Sequence, residues 1–402
     1  AGEARLPALC PEPANTLSRG MSLIAFIALA AWIHLAFFRD GFWRMTERLT
    51  EAPEPERWPA VVAVIPARDE AASIAQVIEA HMTSDYPGDF SLVLVDDSST
   101  DGTADLARAA AEGKARPLEI IAAPDLAEGW TGKLWAMHHG LQKAAEINRD
   151  ADYRLLTDAD IVFSSDTLRR LVAKSEREKL SLASLMARLD VKGSWASLLI
   201  PSFVYFFQKL YPFPRVNDAN DNTAAAAGGC MLVRADALNA IGGVETIKGD
   251  IIDDCALARK IKDLSPSTKI WLGLADDEVR SLRDNEAVSS VWNMVARTAY
   301  AQLGHSAAIL LATLVGLALV YLAPPLIAFT FAAHHEGLAL LFSLLAWGLM
   351  AYTFWPTLKL YDQEPWQAML LPVSAALYAA MTFTSAWRHW RGKGGQWKGR
   401  SY

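Results

Sequence analysis

The chain has 402 residues, 52% hydrophobic and only 21% charged, with a mean hydropathy of +0.14; this balance excludes a string of soluble domains and requires that part of the chain sit in lipid. A formal net charge of −7, from 38 Lys and Arg against 45 Asp and Glu, offers no uniformly basic face for a phosphate backbone, which excludes nucleic acid as a partner. Cys10, Cys230 and Cys255 are too few and too far apart for a disulfide framework, pointing to a reducing compartment, and fourteen Trp without excess Gly or Pro exclude disorder or a collagen-like repeat.

After an N-terminal tail (residues 1–20), Met21 to Phe38 is an apolar run of a length that approaches the roughly 20 residues a helix needs to cross a bilayer. It lies deep for a signal peptide and lacks a small-residue cleavage site, so an anchor is expected. Arg39, Arg44, Arg48 and Arg57 follow it while Arg5 and Arg19 precede it, which predicts a cytoplasmic location for what comes next. Residues 39–60, with the acidic and Pro-rich Glu51 to Pro59, read as a linker.

From 61 to 284 short β-branched runs alternate with charged, Ala-rich stretches, the pattern of βα units on a mostly parallel sheet. Strands are expected at Val61–Ile65, Leu92–Val95 and Tyr153–Leu156, with helices at Ser73–His81 and Thr103–Ala111. Trp195–Pro214 and Val288–Leu303 mix aromatic and apolar residues with few charges, which fits either amphipathic segments at a membrane surface or core helices; residues 285–305 are read as interfacial.

Residues 306–387 return to lipid, with Ala307–Ala333, Gly337–Leu358 and Trp366–Trp387 each long enough to span. Three spans would put the tail (388–402) outside, whereas Arg388, Arg391, Lys393, Lys398 and Arg400, with no acid among them, want it inside. Either the segment Ala307–Ala333, interrupted by Pro324-Pro325, is a hairpin or re-entrant pair, or one candidate lies in the interface; a cytoplasmic tail is expected. Lys398 and Arg400 could anchor the tail on headgroups or fold over a bound diphosphate, and His305 reads as an interfacial residue.

In an open α/β sheet, ligands bind beyond the carboxyl ends of strands. Each such position here carries acids: Pro66-Ala67-Arg68-Asp69-Glu70, Asp96-Asp97-Ser98-Ser99-Thr100-Asp101-Gly102-Thr103, and Thr157-Asp158-Ala159-Asp160. Turn and cap chemistry accounts for some of them. Asp158 and Asp160 have a further use, since paired loop carboxylates offer oxygen ligands to Mn²⁺ or Mg²⁺, ions that complete their shell with phosphate and water. No Walker sequence and no GxGxxG is present, which excludes a P-loop and a dinucleotide fingerprint.

As an ordered set, Val64-Ile65-Pro66-Ala67-Arg68-Asp69-Glu70, Val95 to Thr103, Gly132-Lys133, Thr157 to Asp160, Gly228-Gly229-Cys230 and Asp253-Asp254 resemble the motifs of family 2 inverting glycosyltransferases. With one leading and several trailing spans, the whole chain is similar to the bacterial hopene-associated membrane glycosyltransferases. The resemblance implies a GT-A fold, in which Pro66, Ala67, Glu70, Asp96 and Asp97 line the base and ribose and Lys133 lies beside the nucleotide. Asp158 and Asp160 would hold the metal and diphosphate, and Gly228, Gly229 and Cys230 would border the acceptor. The catalytic base would be Asp254 or Asp253, the family's Glu-Asp pair being Asp-Asp here. Independently, a hydroxyl that displaces a nucleoside diphosphate needs a base such as a carboxylate, although acids also favour a helix N-terminus. Related membrane enzymes carry Gln-x-x-Arg-Trp; Trp292 to Thr298 matches only in part, which argues against a processive polymer synthase and leaves Arg297 as a diphosphate ligand.

The expected activity is therefore transfer of a sugar from a nucleotide sugar, a UDP-sugar foremost, to a membrane lipid hydroxyl such as a hopanoid, with inversion and a divalent cation. The expected location is the cytoplasmic membrane of a bacterium. A polyprenyl-phosphate acceptor, which needs no base, and a catalytically silent scaffold are the alternatives.

Overall fold

The computed structural model describes residues 13–394, 396–397 and 400–401; Arg5, Cys10 and Lys398, used above, lie outside them. Helix α1 (Pro13–Phe37) leads into an α/β domain built from β1 (Val61–Ala67), α2 (Ile74–Met82), β2 (Phe90–Asp96), α3 (Thr103–Ala111), β3 (Leu118–Ala122), α4 (Gly132–Ile147) and β4 (Tyr153–Thr157). There follow β5 (Ile161–Phe163), α5 (Thr167–Glu178), β6 (Leu182–Met186), α6 (Gly193–Leu210), α7 (Phe213–Asn217), β7 (Cys230–Arg234), α8 (Ala235–Ala240), α9 (Asp253–Lys262), β8 (Ile270–Leu274), β9 (Val279–Ser281) and α10 (Val288–Gln302).

Seven strands form one sheet in the order β3-β2-β1-β4-β7-β6-β8. All neighbours are parallel except β7, which runs antiparallel to β4 and β6. The central strands β1, β2 and β4 read as near-continuous apolar runs because both of their faces are covered. Alternate residues of β1 and β2 feed two cores: Val62, Val64, Val93 and Val95 pack towards α4, α6 and α10, whereas Ala63, Ile65, Leu92 and Leu94 pack towards α2, α3 and α5. Close approach of α4 to the sheet requires Gly140, where a Cβ would stand 2.4 Å from Val64 and 2.8 Å from Val95.

Pairing continues past the runs predicted from sequence. Pro66 faces Val95 and Ala67 faces Asp96, so Pro66, Ala67 and Asp96 are strand residues and not the first residues of loops. The two ambiguous segments are helices α6 and α10 and partake of both readings. Leu199, Ile200, Val204, Val291 and Val295 are buried in the domain core, while Trp195 and Leu210 are exposed.

Four helices among the described residues are long and apolar enough to cross a membrane: Gly20–Phe37, Ala307–Phe329, Gly337–Leu360 and Pro365–Trp390. Ala25, Ile327 and Ala339 meet at one end of the bundle, and Trp32 packs edge-on against Tyr321 nearer the domain. Pro324 has no N–H for the Val320 carbonyl; the helix widens into a π turn at Ala318–Leu322, and the Trp32 indole donates to that carbonyl at 2.9 Å. The second apolar segment ends at Phe329, short of the predicted Ala333.

Candidate active site

Three loops converge at the carboxyl ends of β1, β2 and β4. The loops after β1 and β2 are laced together by their own acids. Asp69 accepts the Thr100 N–H, Asp101 accepts that of Ala71 and Asp96 accepts that of Ser99. These carboxylates serve turn chemistry. Asp97 is buried at the end of β2, where Arg68 donates to its carbonyl at 2.7 Å and stands 3.4 Å from its carboxylate.

The Asp158-Ala159-Asp160 loop is pinned from three sides. The Thr157 hydroxyl donates to the Gly229 carbonyl at 2.8 Å, Ser73 donates to the Ala159 carbonyl at 2.9 Å, and the Leu282 N–H donates to the Asp160 carbonyl at 2.8 Å. The last bond comes from the arm that follows β9, itself paired with β5, and it carries Arg283 to the vicinity of Asp160.

Lys133, one residue into α4, bridges two of these elements: its ammonium lies 2.9 Å from Asp158 and 3.1 Å from Asp253 at the start of α9. Burial works against this cation, but Asp158, Asp253 and Asp254 outweigh it and hold its pKa above the usual lysine value. Asp254 accepts two backbone N–H groups, one from Gly228 at 2.9 Å and one from Cys255 at 2.7 Å. Burial, then the neighbouring charge of Asp253, pushes Asp254 up to about 6 against the pull of Lys133 and those two donors. A carboxylate at that value is ionised at neutral pH yet basic enough to take a proton.

Burial likewise pushes Asp160 up to about 6, with the charges of Asp158 and Glu70 adding to it and Arg283 and Lys133 opposing. Such clustered negative charge is what a divalent ion relieves. Among the described residues no group of three His, Cys, Asp or Glu side chains could hold a metal ion by itself; Mn²⁺ and Mg²⁺ commonly bind through one or two carboxylates together with phosphate and water. Asp158 and Asp160 thus fit Mn²⁺ or Mg²⁺.

The structure therefore gathers Lys133, Asp158, Asp160, Asp253, Asp254 and Gly228, with Glu70 close enough to act on Asp160 electrostatically. Pro66, Ala67, Asp96 and Asp97 line the adjoining strand ends. Cys230 faces away: it opens β7 and is buried in the core behind the sheet with Ile161 and Leu232, so of the Gly228-Gly229-Cys230 turn only Gly228 faces the cluster. Arg297 is partly buried on α10, and no ion pair joins it to these acids. Sequence reasoning missed Arg68 and Arg283. The first lies within a motif already noted, but the second reaches the site only through the β5–β9 pairing.

At 2.7–2.9 Å the Tyr211 hydroxyl and Gln302 amide bind each other, joining the ends of α6 and α10. Tyr211 also lies beside Cys255 and Asp254, whose charge adds to the burial that raises its pKa. The ends of the two amphipathic helices are thus brought to the carboxylate cluster.

A family model, glycosyl transferase family 21, matches residues 23–402; the ordered motifs had pointed to family 2. No curated protein matches the chain. Among solved structures, a mannosyltransferase from Pyrobaculum calidifontis in complex with GDP-Man and Mn²⁺ is 19% identical with a TM-score of 0.53, covering 92% of this chain and 99% of its own. TarS from S. aureus (residues 1–349) in complex with UDP-GlcNAc is 13% identical over 83% of this chain and 92% of its own, with a TM-score of 0.40. Glucosyl-3-phosphoglycerate synthase from Mycobacterium tuberculosis with Mn²⁺ and UDP-glucose is 18% identical over 61% of this chain and 79% of its own, also at 0.40. The first of these supports a GT-A architecture for the mostly parallel sheet.

Proposed function

Because the chain belongs to glycosyl transferase family 21, we propose that it moves a sugar from a nucleotide-sugar donor to a lipid hydroxyl at a membrane surface, with inversion, using Asp254 as the base. The observation that carries this reading is Asp254 itself, a half-buried carboxylate raised to about 6 and fixed to Gly228, one residue from the Asp253 that pairs with Lys133. In the transfer, the lipid hydroxyl loses its proton to Asp254 as its oxygen attacks the anomeric carbon. The bond from that carbon to the diphosphate breaks, and its electron pair leaves with the nucleoside diphosphate. A single displacement of this kind inverts the anomeric configuration.

Lys133 sits where it can meet charge growing on the departing phosphate, the electrostatic contribution that dominates many such transfers. Asp158 and Asp160 would hold Mn²⁺ or Mg²⁺, which would neutralise the diphosphate. Pro66, Ala67, Asp96 and Asp97 are placed for the base and ribose, where Arg68 orients Asp97. Arg283 adds a positive charge beside the metal motif, a role for which Arg297 is less well placed. A UDP-sugar is the donor we favour, and GDP-mannose, bound by the Pyrobaculum mannosyltransferase, is the first to compare with it.

The apolar helices support a membrane location, which we place in a bacterial cytoplasmic membrane with the α/β domain facing the cytoplasm. The acceptor would reach Asp254 between α6 and α10, and a hopanoid is the acceptor suggested by the motif resemblance. The test is to incubate the protein in lipid with a panel of nucleotide sugars, with and without Mn²⁺ or Mg²⁺, and score nucleotide release and sugar in extracted lipid. Metal-dependent release that needs a hydroxyl-bearing lipid supports the reading; release matched to a polyprenyl phosphate alone, or none with any donor, contradicts it.

A further inference from the structure

We infer that the last apolar segment, Pro365–Trp390, does not cross the bilayer but dips into it and returns, leaving the basic tail on the face that carries the catalytic carboxylates. This rests on the reading of the chain as a membrane protein.

Three helices run the length of the bundle. Gly20–Phe37 ends at the α/β domain, where the Arg39 guanidinium donates to the Lys209 carbonyl of α6 at 3.0 Å. Ala307–Phe329 starts directly after α10 and ends far from the domain, where Ile327 meets Ala25 and Ala339. Gly337–Leu360 comes back, and Asp362 just beyond it pairs with Arg188 of the domain at 2.6 Å.

The fourth segment behaves differently. Its first limb, the 3₁₀ helix Pro365–Leu370, follows Gly337–Leu360 back into the bundle until the Trp347 indole donates to the Met369 carbonyl at 3.1 Å. Trp347 is about 20 Å along its helix from the Leu360 end, at 1.5 Å per residue. The chain then turns, and Leu371–Trp390 climbs away. Ser374 donates to the Leu198 carbonyl at 3.2 Å and Tyr378 to the Leu199 carbonyl at 2.9 Å, both on α6. Further on, the Tyr300 N–H of α10 donates to Ser385 at 3.0 Å, and Arg388 donates to Asn293 at 2.9 Å. The His389 ring stacks on His305 at 4.3 Å.

Because α10 is buried against the domain through Val291 and Val295 and is tied to Tyr211 at its end, its partners Ser385 and Arg388 stand on the domain side. Both ends of the fourth segment are therefore on that side. Exposed tryptophans mark both ends, Trp366 at one and Trp387 and Trp390 at the other, as expected of residues at a lipid–water boundary. The positive charges Arg388, Arg391 and Lys393 then share a face with Arg39, Arg44 and Arg48, which removes the conflict between span count and charge. The partner of that face is the anionic headgroup layer. The ascending limb also braces α6 and α10, the two helices that reach Asp254.

The test uses full-length protein carrying Cys10→Ser, with the buried Cys230 and Cys255 kept and one new cysteine at an exposed position: Lys114→Cys in the domain, Ala333→Cys, Glu364→Cys or Lys393→Cys. Each variant is labelled with a membrane-impermeant maleimide in spheroplasts before and after permeabilisation. Lys114, Glu364 and Lys393 report alike, and Ala333 reports the opposite side. Labelling of Lys393→Cys together with Ala333→Cys, against Glu364→Cys, overturns the return of the fourth segment while leaving the membrane reading intact. Labelling of Ala333→Cys together with Lys114→Cys overturns the membrane reading itself, and the inference with it.

Discussion

The carboxylate of Asp254 accepts the backbone N–H of Gly228 at 2.9 Å, and this bond ties the start of α9 to the turn before β7. An added Cβ on Gly228 would lie 3.2 Å from the Lys133 ammonium and 3.4 Å from an Asp254 oxygen. Gly228→Ala is therefore expected to displace both groups by a few tenths of an ångström. Turnover should fall roughly tenfold or more, since small misplacements at a reacting centre are costly, while the melting temperature stays close to that of the parent. Steady-state kinetics and a thermal melt on the same preparation check this.

Lys133 lowers the pKa of Asp254, so its removal has a definite sign. In Lys133→Met the Asp254 carboxylate loses that pull, and the acid limb of the pH–rate profile moves to higher pH. Donor KM also rises, because the cation that bridges Asp158 and Asp253 is gone. Lys133→Arg should restore the profile better than the binding, since a planar guanidinium does not reproduce the ammonium's two contacts. A pH series of kcat/KM for the three proteins checks this.

Divalent cations should stabilise the protein more at neutral pH than in mild acid. Asp160 and Asp254 are both raised to about 6 in the folded state, so the native protein binds more protons than the unfolded chain between the ordinary aspartate value and about 6. Their contribution makes stability fall as pH rises through that window. A cation at Asp158 and Asp160 favours the ionised form and offsets the Asp160 penalty at pH 7, whereas at pH 5 it must compete with a proton. Melting curves with and without Mn²⁺ at the two pH values should show the larger shift at pH 7.

Arg283 opposes the raised pKa of Asp160. Arg283→Ala is expected to raise the KM for the nucleotide sugar several-fold, as loss of an exposed charge near a diphosphate would, with a smaller change in kcat. Added salt should shrink the difference between variant and parent, which initial rates at two ionic strengths would reveal.

Much of this was legible in the sequence, for reasons that differ by element. The strands β1, β2 and β4 were visible because both of their faces are buried, which leaves unbroken β-branched runs. Asp158 and Asp160 could be placed because they follow such a run. Arg283 could not, since it arrives through the pairing of Ile161 with Ser281, 120 residues apart. The orientation of Cys230 depends on the strand beginning at that residue and turning its side chain into the core, a register that composition does not specify. Turn chemistry was one reading of the acids after β1 and β2, and it is seen in Asp69, Asp96 and Asp101, each of which accepts a backbone N–H; which of them also meets a ligand is not written in their spacing. Hydropathy found the four long apolar helices of the described residues, yet a segment that returns has the same composition as one that crosses, and the partners of Ser385 and Arg388 tell them apart.

The most direct measurement is the transfer of labelled sugar into extractable lipid by the reconstituted parent, Asp254→Asn and Asp253→Asn, with Mn²⁺ and a saturating donor. Loss of the base should lower kcat for a hydroxyl acceptor by about 10²- to 10⁴-fold in Asp254→Asn with donor KM nearly unchanged, whereas Asp253→Asn, which removes one of the two carboxylates paired with Lys133, should act mainly on donor KM. Full turnover by Asp254→Asn, with the loss confined to Asp253→Asn, would contradict the assignment of the proton acceptor on which the mechanism stands.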